Sequence, residues 1–181
     1  MCGGDNGGMK KRYLLLLLGL LATGFMIPEQ RIIPVAKASP VDWHPKSFWF
    51  YPWGRSGTHK GIDIFAARHT PVIASSAGLV LRTGKDFSGG NVVYVLSAGW
   101  RLHYYAHLQR IDVAKMSWVK AGQQLGTVGD SGNAKGKPTH LHYSIRSLIP
   151  RPWESDPSVP QGWRKMFYIN PHEFLTGGEN V

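Results

Sequence analysis

From Val119 to Pro138 the chain reads VKAGQQLGTVGDSGNAKGKP, with glycine at 122, 126, 129, 132 and 136. Each glycine inside a helix costs roughly 0.5–1 kcal/mol relative to alanine, so glycine at this spacing favours turns and short strands over a long helix. What remains is short apolar pieces joined by turns. The same texture runs from Gly57 to Ser147, where no stretch of useful length repeats every 3.6 residues. DVAKM, from Asp112, admits one helical turn at most. IDIF alternates, TPVIASSAGLVLRTG holds two apolar runs split at Gly78, and GGNVVYVLSAGWRLHYYAHL predicts a hairpin turning at Ala98-Gly99. The fold class predicted is mainly β, a small antiparallel β domain.

The N-terminal end has a different character. A basic cluster, Lys10-Lys11-Arg12, precedes about fifteen mostly apolar residues ending near Ile27. As a helix at ~1.5 Å per residue that run spans roughly 22 Å, short of the ~30 Å hydrocarbon core. It has the shape of a signal-peptide apolar region, and Ala36-Lys37-Ala38 offers small residues for cleavage after Ala38. Pro28, Glu29, Arg31 and Pro34 lengthen the interval before that site, so an uncleaved membrane anchor with a short stalk stands beside cleavage. Met9 opens a complete signal sequence by itself, which makes it a candidate translation start. Cys2 precedes the apolar run, where a lipoprotein cysteine does not fall, and as the only cysteine it forms no internal disulfide.

These features divide the chain into 1–38, signal peptide or anchor with stalk; 39–56, an aromatic and proline-rich lead-in expected to pack on the domain; 57–147, the β domain; and 148–181, a C-terminal extension whose FYINPHEFL is expected to tuck onto the core. The net charge is +10. Without residues 1–38 the 21 Lys and Arg fall to 16 and the 11 Asp and Glu to 9, so the basic surplus belongs to the domain. Such a surplus suits an anionic partner such as a wall polymer; nucleic acid fits by charge alone, and the export signal argues against it.

Five of the eight histidines fall in three short motifs. HKGID carries His59, Gly61 and Asp63. HYYAHL carries His103, Tyr105 and His107, expected on one strand face. THLHYSIR carries His140 and His142, with Ser144 on their face and Leu141, Tyr143 and Ile145 on the other. A catalytic zinc takes about three His or carboxylate ligands and leaves a fourth position for water. His59, Asp63 and one of the His140/His142 pair satisfy that count. No glutamate occurs between Gly57 and Ser147, so the proton acceptor falls to the remaining histidines, whose pKa near 6.5 suits the task. The residues alone leave open which of His140 and His142 is the ligand.

HKGIDIFAARHTPVIASSAGLV, YYAHL and THLHYSIR together closely resemble the lysostaphin-type, or LytM-like, zinc endopeptidases, from about Thr58 to Arg146. The resemblance implies one Zn²⁺ held by His59, Asp63 and His142, catalytic roles for His107 and His140, and a barrel-sandwich hybrid with a groove over the metal. It implies peptidoglycan as substrate, cut at a peptide crosslink outside the cytoplasmic membrane. Thr139 stands where proline is common, and His103 where a small polar residue is more usual. Two other functions remain in view: a non-catalytic wall-binding module or activator of another wall hydrolase, and an amidase cutting the glycan–peptide bond. Tyr105 is expected to line the groove or to pack in the core. Asn91 borders the groove or serves the hairpin. Gly61 allows a tight backbone passage, and His44, His69 and His172 read as surface or turn histidines.

Overall fold

The computed structural model describes residues 6–177; Cys2 and the Met1 start lie outside the described residues. Strands β1 (Ile62–Phe65), β2 (Pro71–Ile73), β3 (Gly78–Asp86), β4 (Gly90–Ser97), β5 (Arg101–Ile111), β6 (Trp118–Val119), β7 (Gln124–Val128), β8 (His140–Ser147) and β9 (Tyr168–Ile169) join in one antiparallel sheet. The main path runs β1-β8-β5-β4-β3-β6; β7 leaves β5 to pair with β2, and β9 extends β8. The mainly β, antiparallel architecture expected from the glycine spacing is what forms. Asp112–Met116 makes a turn and no helix.

The core lies beneath the centre of this sheet. Leu141, Tyr143 and Ile145 of β8 are fully buried there, as their alternation predicts, with Ile62 and Ile64 of β1, Val93 and Val95 of β4 and Leu125 of β7. The lead-in is ordered: Trp43 and Trp49 are buried, Trp49 N donates to His59 O at 2.6 Å, and His59 N donates to Phe50 O at 2.9 Å. The C-terminal end folds back as β9 and α2 (Pro171–Thr176), which buries Phe174. His172 is no surface residue. It is buried, and its Nδ1 accepts from Trp43 Nε1 at 3.2 Å. No local pattern signals this, because the partner lies 129 residues away.

Helix α1 (Asn6–Met26) holds the apolar run, and among the described residues no helix is long and apolar enough to cross a membrane. The segment after it does not hang free. Ile32 N donates to Ser75 O at 2.9 Å, Ala36 N to Pro71 O at 3.0 Å, and Ile73 N to Pro34 O at 3.0 Å. Val35 bridges Val72 and is only 2% exposed. Glu29 pairs with Arg101. The stalk thus covers the outer edge of β2, supplying partners to a strand that would otherwise present unpaired backbone groups.

Candidate metal centre

Register builds half of the site. In the β1–β8 pair Asp63 stands opposite His142 and Phe65 opposite His140. Directly opposed residues in an antiparallel pair share a face with Cβ atoms about 5 Å apart. The third group, His59, comes from the turn entering β1. A side chain at Gly61 would block that turn, because its Cβ would lie 2.4 Å from Tyr143 O and 3.0 Å from His142 Cε1. The tight passage expected at Gly61 is therefore real, and its cause is close approach to β8.

The three candidate ligand atoms converge. His59 Nε2 lies 3.1 Å from Asp63 Oδ1 and 3.1 Å from His142 Nδ1, and the last two are 2.8 Å apart. Donors held ~2.0–2.2 Å from a tetrahedral zinc are spaced about 3.3–3.6 Å, so this triangle is a few tenths of an ångström tighter. The donor chemistry also fits. His59 Nδ1 donates to Ser47 O at 3.0 Å, which leaves the Nε2 lone pair facing the other two groups. Burial works to raise the Asp63 pKa, but the close approach of the His142 and His59 rings outweighs it and holds the carboxyl far below its ordinary value. Burial lowers the His142 pKa, against the opposing pull of Asp63. An ionised carboxylate is the state metal binding requires of Asp63, and the direction of its shift supplies it. Among the described residues His59, Asp63 and His142 are the one His/Cys/Asp/Glu group able to share an ion.

His107 and His140 stand at the rim. The His107 ring centroid is 5.0 Å from that of His140 and 6.0 Å from that of His142. Each donates Nδ1–H to a backbone carbonyl, His107 to Ser131 O at 2.9 Å and His140 to Pro138 O at 2.7 Å. Both are thereby set in the tautomer with a free Nε2. Burial, with His142 next in weight, lowers the His107 pKa to about 4. His140 Nε2 lies 3.9 Å from Asp63 Oδ2.

Strict alternation along β5 predicts His103, Tyr105 and His107 on one face, and the structure corrects this. His103 and Tyr105 are fully buried in the core; His103 bonds Tyr143 OH at 2.6 Å, and the Tyr105 hydroxyl accepts from Ser75 N at 3.0 Å. His107 has φ 64°, and the pairing of β5 with β4 shifts register between Asn91 and Val93. A left-handed non-glycine residue costs roughly 1–2 kcal/mol, and here it turns the imidazole to the opposite side of the sheet. Gly89 O accepts from His107 N at 2.7 Å, and Asn91 Nδ2 donates to Leu108 O at 3.0 Å, so Asn91 serves the bulge. Tyr104, which alternation places away from His107, instead has its ring 6.0 Å from His142 and its hydroxyl on Asp86 Oδ2 at 3.0 Å. Two aromatic neighbours carry no signal in the sequence. Trp53 stacks on His59 with centroids 4.1 Å apart, and Phe65 meets the His140 ring at 5.5 Å.

Residues 57–157 match the model of Peptidase family M23. The chain belongs to that family. It is 35% identical over 113 residues to the peptidoglycan DD-endopeptidase ShyC of Vibrio cholerae, a match covering 59% of this chain and 26% of that protein. It is 34% identical over 112 residues to the murein hydrolase activator NlpD of Escherichia coli, covering 56% and 29%. The chain thus spans well under half the length of these curated relatives. Among solved structures, the catalytic domain of the antimicrobial peptidase lysostaphin from Staphylococcus simulans superposes with a TM-score of 0.59 at 27% identity, covering 72% of this chain and 89% of that one.

Proposed function

We propose that this chain is a zinc-dependent endopeptidase that cuts peptide crosslinks of peptidoglycan outside the cytoplasmic membrane. One observation carries the reading: the two imidazole nitrogens and the carboxylate oxygen that meet within 3.1 Å also have two further histidines beside them, each with Nε2 free. His59, Asp63 and His142 would hold the metal. The chemistry a bound zinc supplies there is Lewis acidity, which brings the pKa of a coordinated water toward ~7 and polarises a carbonyl. His107 and His140 divide the proton work. The neutral one accepts the water proton at Nε2; the other, protonated, donates to the developing oxyanion and to the leaving amine. The carbonyls of Ser131 and Pro138 keep both rings in register during the transfer. Trp53 and Phe65, 38% and 49% exposed, give apolar walls on either side against which a peptide backbone can lie.

The second reading is an activator of other wall hydrolases on the same fold, favoured by the likeness to NlpD. The intact set of five polar residues argues for turnover instead. Digestion of purified peptidoglycan with zinc-loaded protein, followed by mass analysis of the soluble fragments, separates the two. Crosslinked dimers converted to monomers support the peptidase. Intact crosslinks with zinc bound support the activator, and cleavage between glycan and peptide would identify an amidase.

The packing of the stalk bears on export. Cleavage after Ala38 would strip Val35 from the core and Glu29 from Arg101. These contacts support a mature chain that retains residues 29–38.

A further inference from the structure

The face of β8 that bears His140 and His142 continues through Ser144 to Arg146, because Leu141, Tyr143 and Ile145 take the other face into the core. At ~3.3 Å per residue, Arg146 stands roughly 13 Å along the strand from His142. The floor beside this stretch is aromatic. Tyr104 is the β5 partner of Ser144, and Tyr94 is the β4 partner of Tyr104. Both are half-buried, and their ring centroids are 4.6 Å apart. A track therefore leads from the metal centre toward the C-terminal end of β8.

At that end opens a cavity of about 400 Å³, bordered by Arg146, Leu148, Trp163, Arg164, Phe167 and Tyr168. Each guanidinium lies over a ring. Arg146 Cζ is 5.2 Å from the Tyr168 centroid, and Arg164 Cζ is 5.1 Å from that of Trp163. A guanidinium held by its face keeps its in-plane N–H groups available. Lys60 is tied to the same corner. Its Nζ donates to Ser56 O at 3.1 Å, Gln161 Nε2 donates to that oxygen at 2.8 Å, and Gln161 Oε1 accepts from Arg164 Nη1 at 3.3 Å. Among the described residues none of Lys60, Arg146 and Arg164 is in an ion pair, and no carboxylate borders the cavity. The neighbouring carboxylates are already taken, Glu154 by Arg151 at 3.5 Å and Asp156 by Lys165 at 3.1 Å.

Three cations without counter-charge at one end of the track suit an anionic group on whatever lies in it. Arginine forks match a carboxylate through paired N–H groups. An extended peptide advances ~3.3–3.6 Å per residue, so about four residues span the distance from the metal centre to Arg146. Building on the peptidase reading, we propose that Arg146 and Arg164 are specificity-determining residues that bind a free terminal carboxylate of the wall peptide, about four residues from the bond that is cut.

The test uses one soluble crosslinked wall peptide in two forms, with the terminal carboxylate free and with that group amidated. Calorimetric titration of the zinc-loaded His107→Ala chain reads binding without turnover, and cleavage by the zinc-loaded parent chain reads KM and kcat. The free acid is expected to bind roughly tenfold more tightly than the amide, and less so as salt rises. Arg146→Gln and Arg164→Gln should each remove most of that preference and raise KM for the acid toward that of the amide. Lys115→Gln, the same charge change on the turn before β6, should leave the preference as it is. Equal binding of the two forms, binding of neither, or a preference that survives both arginine changes overturns the carboxylate site. Tighter binding of the acid with no cleavage by the parent chain supports that site and counts against the peptidase reading instead. Equal cleavage of both forms counts against the site alone. Arg146 and Arg164 are exposed, so their replacement leaves the core intact.

Discussion

Val35→Ala tests whether the stalk belongs to the folded domain. Val35 is 2% exposed and bridges Val72, and its neighbours donate and accept three backbone hydrogen bonds with the β2 region. The substitution removes two carbon groups at ~0.8 kcal/mol each, and the unfilled space adds to that, for a total of about 2–3 kcal/mol. For a chain of this size, about 2–4 °C of Tm is lost per kcal/mol, so the variant should melt roughly 4–12 °C lower. Urea unfolding followed by near-UV circular dichroism measures the same quantity, with the midpoint lowered and the slope unchanged. A combined Val35→Ala, Val72→Ala chain should lose less than the sum of the two single changes, since the two residues are bridge partners in one core cluster. A flexible linker predicts something else: a change within ±0.5 kcal/mol, as for ordinary surface positions. That smaller value, or full additivity with Val72→Ala, would refute the packing argument and with it the case against cleavage after Ala38.

Other expectations follow from the site. His59→Ala or His142→Ala should lose zinc and wall cleavage together, whereas His107→Ala should keep zinc and lose cleavage by at least 10²-fold, checked by metal analysis alongside fragment release. Gly61→Ala should disturb the β1–β8 pairing, because the new Cβ meets the backbone oxygen of Tyr143; lowered Tm and weakened zinc binding would both register it. Burial, and next the charge of Arg101, hold the His103 pKa down to about 3, against an ordinary value near 6.5. Between those values the unfolded chain carries the extra proton. Stability should therefore fall by up to about 1.4 kcal/mol per pH unit as pH drops from ~6.5 toward ~3. Urea midpoints across that range should show the slope in the parent chain, reduced in His103→Gln.

Local pattern determined a good deal of this protein. Closely spaced glycines disfavour long helices by backbone entropy, and alternation along THLHYSIR fixes which side chains of β8 enter the core, because a strand reverses face at every residue. The motifs also named the five polar residues that the structure brings into one cluster. Tertiary structure decided the rest, wherever the cause lies far away in the chain. His107 leaves the face that alternation assigns it because a bulge against β4, anchored by Gly89 O and Asn91, holds it at φ 64°. Trp53 reaches His59, Trp43 covers His172, and Val35 caps β2 only once the sheet exists to receive them. Periodicity reports which face of its own strand a residue occupies; contacts between distant segments depend on register and packing, which no local window contains.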